Sequence, residues 1–425
     1  MMRYLVLLAA LRLAVLSASA WPTVYPTGTT LYHPDKAFNG YTLFTPLGDA
    51  PDGQTYTLYL INMTGAVVHR WSVPFSPLQG RLLPNGNVIV IGRNDKVEPG
   101  RPGVGGYEMG GVAGWLVELS WDGKRLFKHV DLKMHHDFAR LPNGSTIYLT
   151  WEPVPDALRE KVRGGIKGSE HSDGAMFNDG LVEIDAQGKT VWEWHANAHL
   201  DPELDIIGPL YKRQEWLHAN SVAVLADSNI ALTGRNTDTL LVIEKRTGKI
   251  LWRWGNTTYL DEQTSRLEYR SGSDTLGGPH DVREIPSGQP GAGHLVCYDN
   301  GTYAAVSRVV EIDPAARKLV WQSSPRGLGR KHFSNFVGGA QRLPNGNTLV
   351  CDGANGRFFQ VTAKNETVWE YVNPYVTSPL YQGAVFKIHH YAPGYCPQFD
   401  KLPAAKGAGV VPKGDNAQGR VGAAL

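Results

Sequence analysis

A two-strand unit repeats six times along this chain, and that periodicity limits the fold more than any other feature. Each copy is an apolar strand, a polar turn and a second strand ending in an aromatic or similar ring. The copies read TLYLINMTGAVVHRW (57–71), WLVELSWDGKRLFKH (115–129), LVEIDAQGKTVWEW (181–194), LLVIEKRTGKILWRW (240–254), VVEIDPAARKLVWQS (309–323) and FFQVTAKNETVWEY (358–371). Their aligned positions, His69, Phe127, Trp192, Trp252, Trp321 and Trp369, stand 48 to 69 residues apart. A second motif, a tight turn and a strand, lies between successive copies. It reads LLPNGNVIVIG (82–92), RLPNGSTIYLT (140–150), VLADSNIALTG (224–234), EIPSGQPGAGHLVCY (284–298) and RLPNGNTLVCDG (342–353). Asn and Gly accept the left-handed backbone that such turns need.

Together the motifs supply four short antiparallel strands per unit. Six such units describe an all-β chain folded as a six-bladed β-propeller of four-stranded antiparallel blades. The last unit has no Pro-Asn-Gly strand after residue 371, so the ring is expected to close with chain ends: residues 40–44 and residues 383–386. The aligned aromatics read as packing between blades. Residues 153–179 form a polar insert outside the repeat. Residues 397–425 are rich in Gly, Ala and Lys without period and read as a disordered tail. The expected organisation is a leader at 1–20, the propeller at 21–396 and the tail at 397–425.

The leader rests on Arg3, the apolar stretch to Leu16 interrupted by Arg12, and Ala18-Ser19-Ala20 as a small-x-small cleavage site. The mature chain would begin at Trp21, in a secreted, lumenal or periplasmic setting. No later segment is long and apolar enough for a membrane span. Triplets of the N-x-S/T form at Asn62, Asn143, Asn256, Asn300 and Asn365 fit a glycoprotein. Three cysteines, Cys297, Cys351 and Cys396, are too few for a disulfide scaffold. They allow one bridge and a free thiol, or packed core residues at Cys297 and Cys351, which take similar places in successive repeats. With 42 Lys and Arg against 40 Asp and Glu, the formal charge of +2 gives no electrostatic argument for nucleic acid or a membrane surface.

The innermost strand of a propeller blade runs along the central channel, so its start presents one side chain per blade to a common axial pocket. Three of these starts carry histidine: His136, His218 and His280. The equivalent places in two other blades fall near Leu78 and Gly338. Arg235 follows the strand after His218 and could return to the same pocket. A guanidinium among imidazoles favours an anionic, oxygen-rich ligand. Asn220 and Trp216 are further candidates, as substrate-binding residues; Tyr298 and Phe336 could add to an aromatic wall. His135 should face away from His136 by strand alternation, and His389-His390 reads as surface.

These residues carry a family resemblance. HANSVAVLADSNIALTGRNTDTLLVIEKRTGKILWRWG (218–255), GGPHDVREIP (277–286), HHDFARLPNG (135–144) and YPTGTTLYHPDKAFNGYTLFTP (25–46), with the VWEW units, resemble the arylsulfate sulfotransferase family. The resemblance spans residues 25–395. It implies a six-bladed propeller that moves a sulfuryl group from an aryl sulfate ester to a phenolic acceptor, with no nucleotide donor and no cofactor. His280 resembles the family's transiently sulfated histidine, His218 and Arg235 its His–Arg pair, and His136 its remaining pocket histidine. His136 or His218 could equally serve as the acid and base. Two other readings stay open from residue types alone: a metal-dependent propeller hydrolase or oxidase, since three histidines can hold zinc or copper, and a non-catalytic extracellular binding propeller. A sulfatase-like variant would pass the group to water. The oligomeric state is not encoded in these motifs.

Overall fold

The computed structural model describes residues 26–48, 54–93, 107, 109–323, 332–377 and 381–403. The expected leader and the tail beyond residue 403 lie outside the described residues. The turn chemistry works as the sequence suggests. Asn85, Asn143 and Asn345 each accept the amide of the residue two further on, at 2.9, 2.9 and 3.1 Å. The following Gly86, Gly144 and Gly346 sit at φ 86°, 87° and 86°, where a side chain would be strained. In the fourth unit, Asp227 and Ser228 (φ 71°) take these places.

Each turn joins the first two strands of a blade, and a second hairpin adds two more. Blade 2 comprises Ser76–Leu82, Val88–Arg93, Trp115–Leu119 and Arg125–Val130. Blade 3 comprises Met134–Arg140, Thr146–Pro153, Phe177–Ile184 and Thr190–His195. Blades 4 and 5 begin at Ala219–Val224 and His280–Glu284, and blade 6 at Gly339–Arg342. The result is the expected six-bladed all-β propeller.

Ring closure differs in detail from the expectation. Tyr41–Phe44 does join a blade with the C-terminal region, but its inner partner is His389–Tyr391, not 383–386. Residues 383–386 instead meet the chain just past that strand, through the isolated bridge Pro46↔Val385 and the Leu47 amide, which donates to the Ala384 carbonyl at 2.7 Å. His389 and His390 are therefore buried in the closing strand rather than on the surface. Gly28–Tyr32 adds a fifth, outer strand to blade 6. Residues 397–403, counted in the expected tail, are among the described residues. Pro397–Lys401 is a 3-10 helix whose Phe399 is buried against Tyr41, ring centroids 4.5 Å apart. An aromatic anchor holds those residues on the propeller.

The blades are fastened by outer-strand tryptophans. Trp71, Trp194, Trp321 and Trp369 each donate an indole N–H to a carbonyl in the outer hairpin of the next blade: Ser120, Gly248, Ala363 and Met63, at 3.1, 2.9, 3.0 and 2.8 Å. Trp369 spans the seam between blades 6 and 1, where the ring closes. Its replacement by alanine should cost about 3–5 kcal/mol, measured by denaturant unfolding, because a buried indole leaves a cavity and takes away one of the two donors to the Met63 carbonyl. The three cysteines are free thiols buried in the core, with no bridge. Among the described residues no helix is long and apolar enough to cross a membrane.

Candidate active site

The inner strands do not enter the channel as regular strands. Pairing slips between Pro77 and Gln79, opposite His136 and Asp137, between Ala219 and Ser221, and between His280 and Arg283. Non-glycine residues take left-handed backbone angles there: His136 at φ 48°, His218 at 51°, Asp281 at 52° and Val337 at 43°. Each costs on the order of 1–3 kcal/mol and persists only where surrounding contacts enforce it. Gly111 helps at His136. Its carbonyl accepts the His136 amide at 2.8 Å, and a Cβ on Gly111 would lie 2.2 Å from the ring's Nε2.

These bulges turn the imidazoles into one axial cavity of about 520 Å³, lined by His136, His218, His280 and Arg235. That volume suits a small organic ligand. The His136 and His218 ring centroids are 4.9 Å apart. Phe336, Tyr381, Phe386, Leu78 and Val337 supply an apolar wall. The Arg235 guanidinium lies over the Tyr211 ring at 4.9 Å, and its Nη1 donates to Asn236 Oδ1 at 3.1 Å. Tyr211 in turn donates to Asp238 Oδ1 at 2.9 Å.

His280 is held at one nitrogen only. Its Nδ1 lies 2.7 Å from Asn300 Oδ1 and 3.0 Å from the Gly278 carbonyl. Both partners are acceptors, so Nδ1 carries the hydrogen and Nε2 keeps a lone pair. Burial, and then the Arg235 charge, lower the His280 pKa to about 3. Burial also pushes His136 well below its usual range, helped by His218, His135, His280 and Arg235. His218 Nδ1 lies 2.7 Å from Glu215 Oε2. Burial opposes ionisation of Glu215, but His218, His135 and Arg235 together outweigh it, and the carboxyl sits below its usual range.

One residue beyond His136 and His280 lies a second buried polar layer. Lys387 Nζ bridges Asp137 Oδ2 at 2.7 Å and Asp281 Oδ1 at 3.0 Å. Gln79 donates to Asp137, and Arg283 to Asp281. The paired charges tie blades 1, 3 and 5 together behind the histidines.

Burial of neutral imidazoles makes stability pH-dependent. His136, His280, His332, His389 and His390 all have lowered pKa values in the fold. The unfolded chain protonates them below about pH 6.5 while the folded chain does not, so stability is lost as pH falls. Asp238, Asp299 and Asp352 have raised values and act in the opposite sense, but they are fewer. Thermal unfolding midpoints should therefore fall between about pH 7 and pH 5; a midpoint that rises over that range would contradict the balance.

The structure brings His136, His218, His280 and Arg235 together, with one adjustment of register. His136 and His280 stand five residues before the turn residues Leu141 and Ile285, whereas His218 stands seven before Leu225. The matching position in blade 4 is Asn220. Its side chain does not line the cavity: it donates to the Pro279 carbonyl at 2.9 Å and accepts from Thr233 at 2.6 Å. Trp216 is likewise not a pocket residue, because its indole is buried and donates to the Asp205 carbonyl at 2.6 Å. Tyr298 is core as well, while Phe336 does line the cavity. His135 turns toward His136 instead of away, with their Nδ1 atoms 2.8 Å apart.

Asn300 was missed. As part of an N-x-T triplet it suggests a glycan, yet it is 1 % exposed. Its amide donates to the Ser334 and Val337 carbonyls at 2.7 and 3.0 Å while its oxygen holds His280. In the folded chain it is a positioning residue. Among the described residues no three His, Cys, Asp or Glu side chains group as a metal-binding set.

Three solved structures align with the chain. A protein of unknown function from Bacteroides caccae aligns with TM-score 0.50 and 10% identity, covering 82% of this chain and 98% of that one. A putative 6-phosphogluconolactonase from Bacteroides fragilis aligns with TM-score 0.43 and 10% identity, covering 83% and 98%. A virginiamycin B lyase from Staphylococcus aureus gives 0.40 and 8%, covering 83% and 91%. At 10% identity the first of these shows a likeness of fold alone. No curated protein sequence matches significantly. The model of one protein family, described as arylsulfotransferase (ASST), matches residues 116–385, which include the three cavity histidines and Arg235. With more than half of the chain matched, this propeller belongs to the arylsulfotransferase family.

Proposed function

We propose that the chain transfers a sulfuryl group from an aryl sulfate to a phenolic acceptor without a nucleotide donor, through an N-sulfated His280. The observation that carries the reading is the one-sided anchoring of His280. Asn300 and Gly278 take its Nδ1–H, so Nε2 is a neutral nucleophile facing a cavity that also holds a guanidinium. A low pKa keeps that lone pair available at neutral pH.

In the first half-reaction, Nε2 attacks sulfur and the bond from sulfur to the aryl oxygen breaks. Positive charge develops on the imidazole as it is sulfated, and Asn300 Oδ1 stabilises the Nδ1–H that carries part of it. Arg235 and His218, the latter with Glu215 as counter-charge, cradle the three sulfuryl oxygens. The departing phenolate takes a proton from His136 Nε2. A phenolic acceptor then returns a proton to His136 as its oxygen attacks sulfur and the bond to His280 breaks. Phe336, Tyr381 and Phe386 offer the aryl ring its apolar wall. The substrates are small molecules, and secretion, supported by residues 1–20, would place the chemistry outside the cytoplasm; a mature N-terminus at Trp21 tests that.

The direct test is a chromogenic aryl sulfate with and without a second phenol, in buffer free of nucleotides. Phenol release that rises with acceptor, with sulfated acceptor as product, supports the proposal. No release, or sulfate release indifferent to acceptor, contradicts it.

A further inference from the structure

Behind the cavity, three side chains form a buried line. His136 Nδ1 lies 2.8 Å from His135 Nδ1, and His135 Nε2 and Asp179 Oδ1, each without a hydrogen-bond partner, stand 3.2 Å apart in ion-pair range. His135 is 0 % and Asp179 1 % exposed. The His135 ring is clamped against Trp151, centroids 4.4 Å apart and planes 21° apart, so it cannot swing away. Asp179 comes from Phe177–Ile184, the third strand of blade 3, while both histidines lie on its first.

We infer that Asp179 and His135 form a proton relay that sets the protonation of His136 through its rear nitrogen. This rests on the sulfohistidine reading above. Two nitrogens 2.8 Å apart must share one hydrogen. When His135 is neutral, its Nε2–H faces Asp179 and its Nδ1 accepts from His136 Nδ1–H, which leaves His136 Nε2 as a base. When His135 carries the extra proton, its Nδ1–H donates to His136, and His136 presents Nε2–H to the cavity as an acid. The positive charge then rests on His135 beside the Asp179 carboxylate.

The surroundings favour that division of labour. His136 faces His218, His280 and Arg235, and burial opposes its charging. On the other side, His135 faces Asp179 and also interacts with the Glu215 carboxylate. A positive charge on His135 would thus lie beside carboxylates, one residue away from the sulfuryl site. Protons balance over the cycle. In the donor half-reaction His136 gives Nε2–H to the phenolate oxygen as His135 passes its Nδ1 proton to His136 Nδ1. In the acceptor half-reaction the phenol proton goes to His136 Nε2, and the Nδ1 proton returns to His135. Neither His135 nor Asp179 touches substrate; both position and charge the group that does.

The test uses leaving-group dependence in the full-length protein, because a phenolate that is a good leaving group needs no proton. Asp179→Asn and His135→Gln are each assayed with a nitrophenyl sulfate and with unsubstituted phenyl sulfate. The relay requires losses of about 10²-fold or more with phenyl sulfate and less than about tenfold with the activated donor. Turnover of the activated donor also reports that the variant is folded. Equal losses on both donors, including complete inactivity, or no loss on either, would overturn the relay. If wild-type protein transfers nothing from either donor, it is the sulfohistidine reading that fails.

Discussion

Alanine at His280 is expected to abolish transfer between phenols, with a loss of more than about 10³-fold in kcat, since removing a covalent nucleophile leaves only binding and electrostatic stabilisation. The expectation follows from how the ring is held. Its Nδ1 is committed to Asn300 and Gly278, so the reactive atom is Nε2, in the cavity that Arg235 also lines. Truncation leaves Asn300 Oδ1 without its donor, at a cost of about 1–3 kcal/mol, which predicts a destabilised but folded variant. Added imidazole can enter the vacated space and should restore part of the phenol release. Preserved transfer in the variant would remove His280 from the mechanism.

The second large effect is expected at Arg235. Replacement by lysine should slow both half-reactions by about 10²–10³-fold, the range found when one preorganised oxyanion partner is lost. A lysine keeps the charge but not the planar fork that can span two sulfuryl oxygens, nor the stacking over Tyr211 seen at 4.9 Å. Methionine at the same position removes the charge as well. Because Arg235 depresses the His280 pKa, that variant should also show the acidic limb of its pH profile moved upward. A lysine variant with unchanged rates would mean that the sulfuryl oxygens are bound elsewhere.

Much of this was legible in the sequence because propeller repeats are local. The Pro-Asn-Gly turns and outer hairpins depend on residues a few positions apart, and they announce the blades directly. Three cavity histidines could be found because each stands at or near the start of an inner strand. What escaped was set by distance or by backbone irregularity. The closing strand His389–Tyr391 has no turn motif of its own and pairs with a strand at the other end of the chain. Lys387 meets partners 250 and 106 residues away, and nothing local marks it as buried. Strict alternation placed His135 on the wrong side, because the left-handed angle at His136 breaks the two-residue period. Asn300 looked like a glycan acceptor, and only the fold reveals that its amide is consumed by His280, Ser334 and Val337. Of Trp216, Tyr298 and Phe336, which the sequence offered for an aromatic wall, Phe336 lines the cavity while the other two fill the core between strands.

The account stands most directly on the fate of the sulfuryl group between donor and acceptor. Purified protein is mixed with an aryl sulfate and no acceptor, quenched in alkali to protect an N–S bond, digested, and its peptides weighed. One sulfuryl group on His280, discharged by adding a phenol and missing from the alanine variant, is the predicted result. Transfer that proceeds while His280 stays unmodified, or a sulfuryl group carried on another residue, would contradict it.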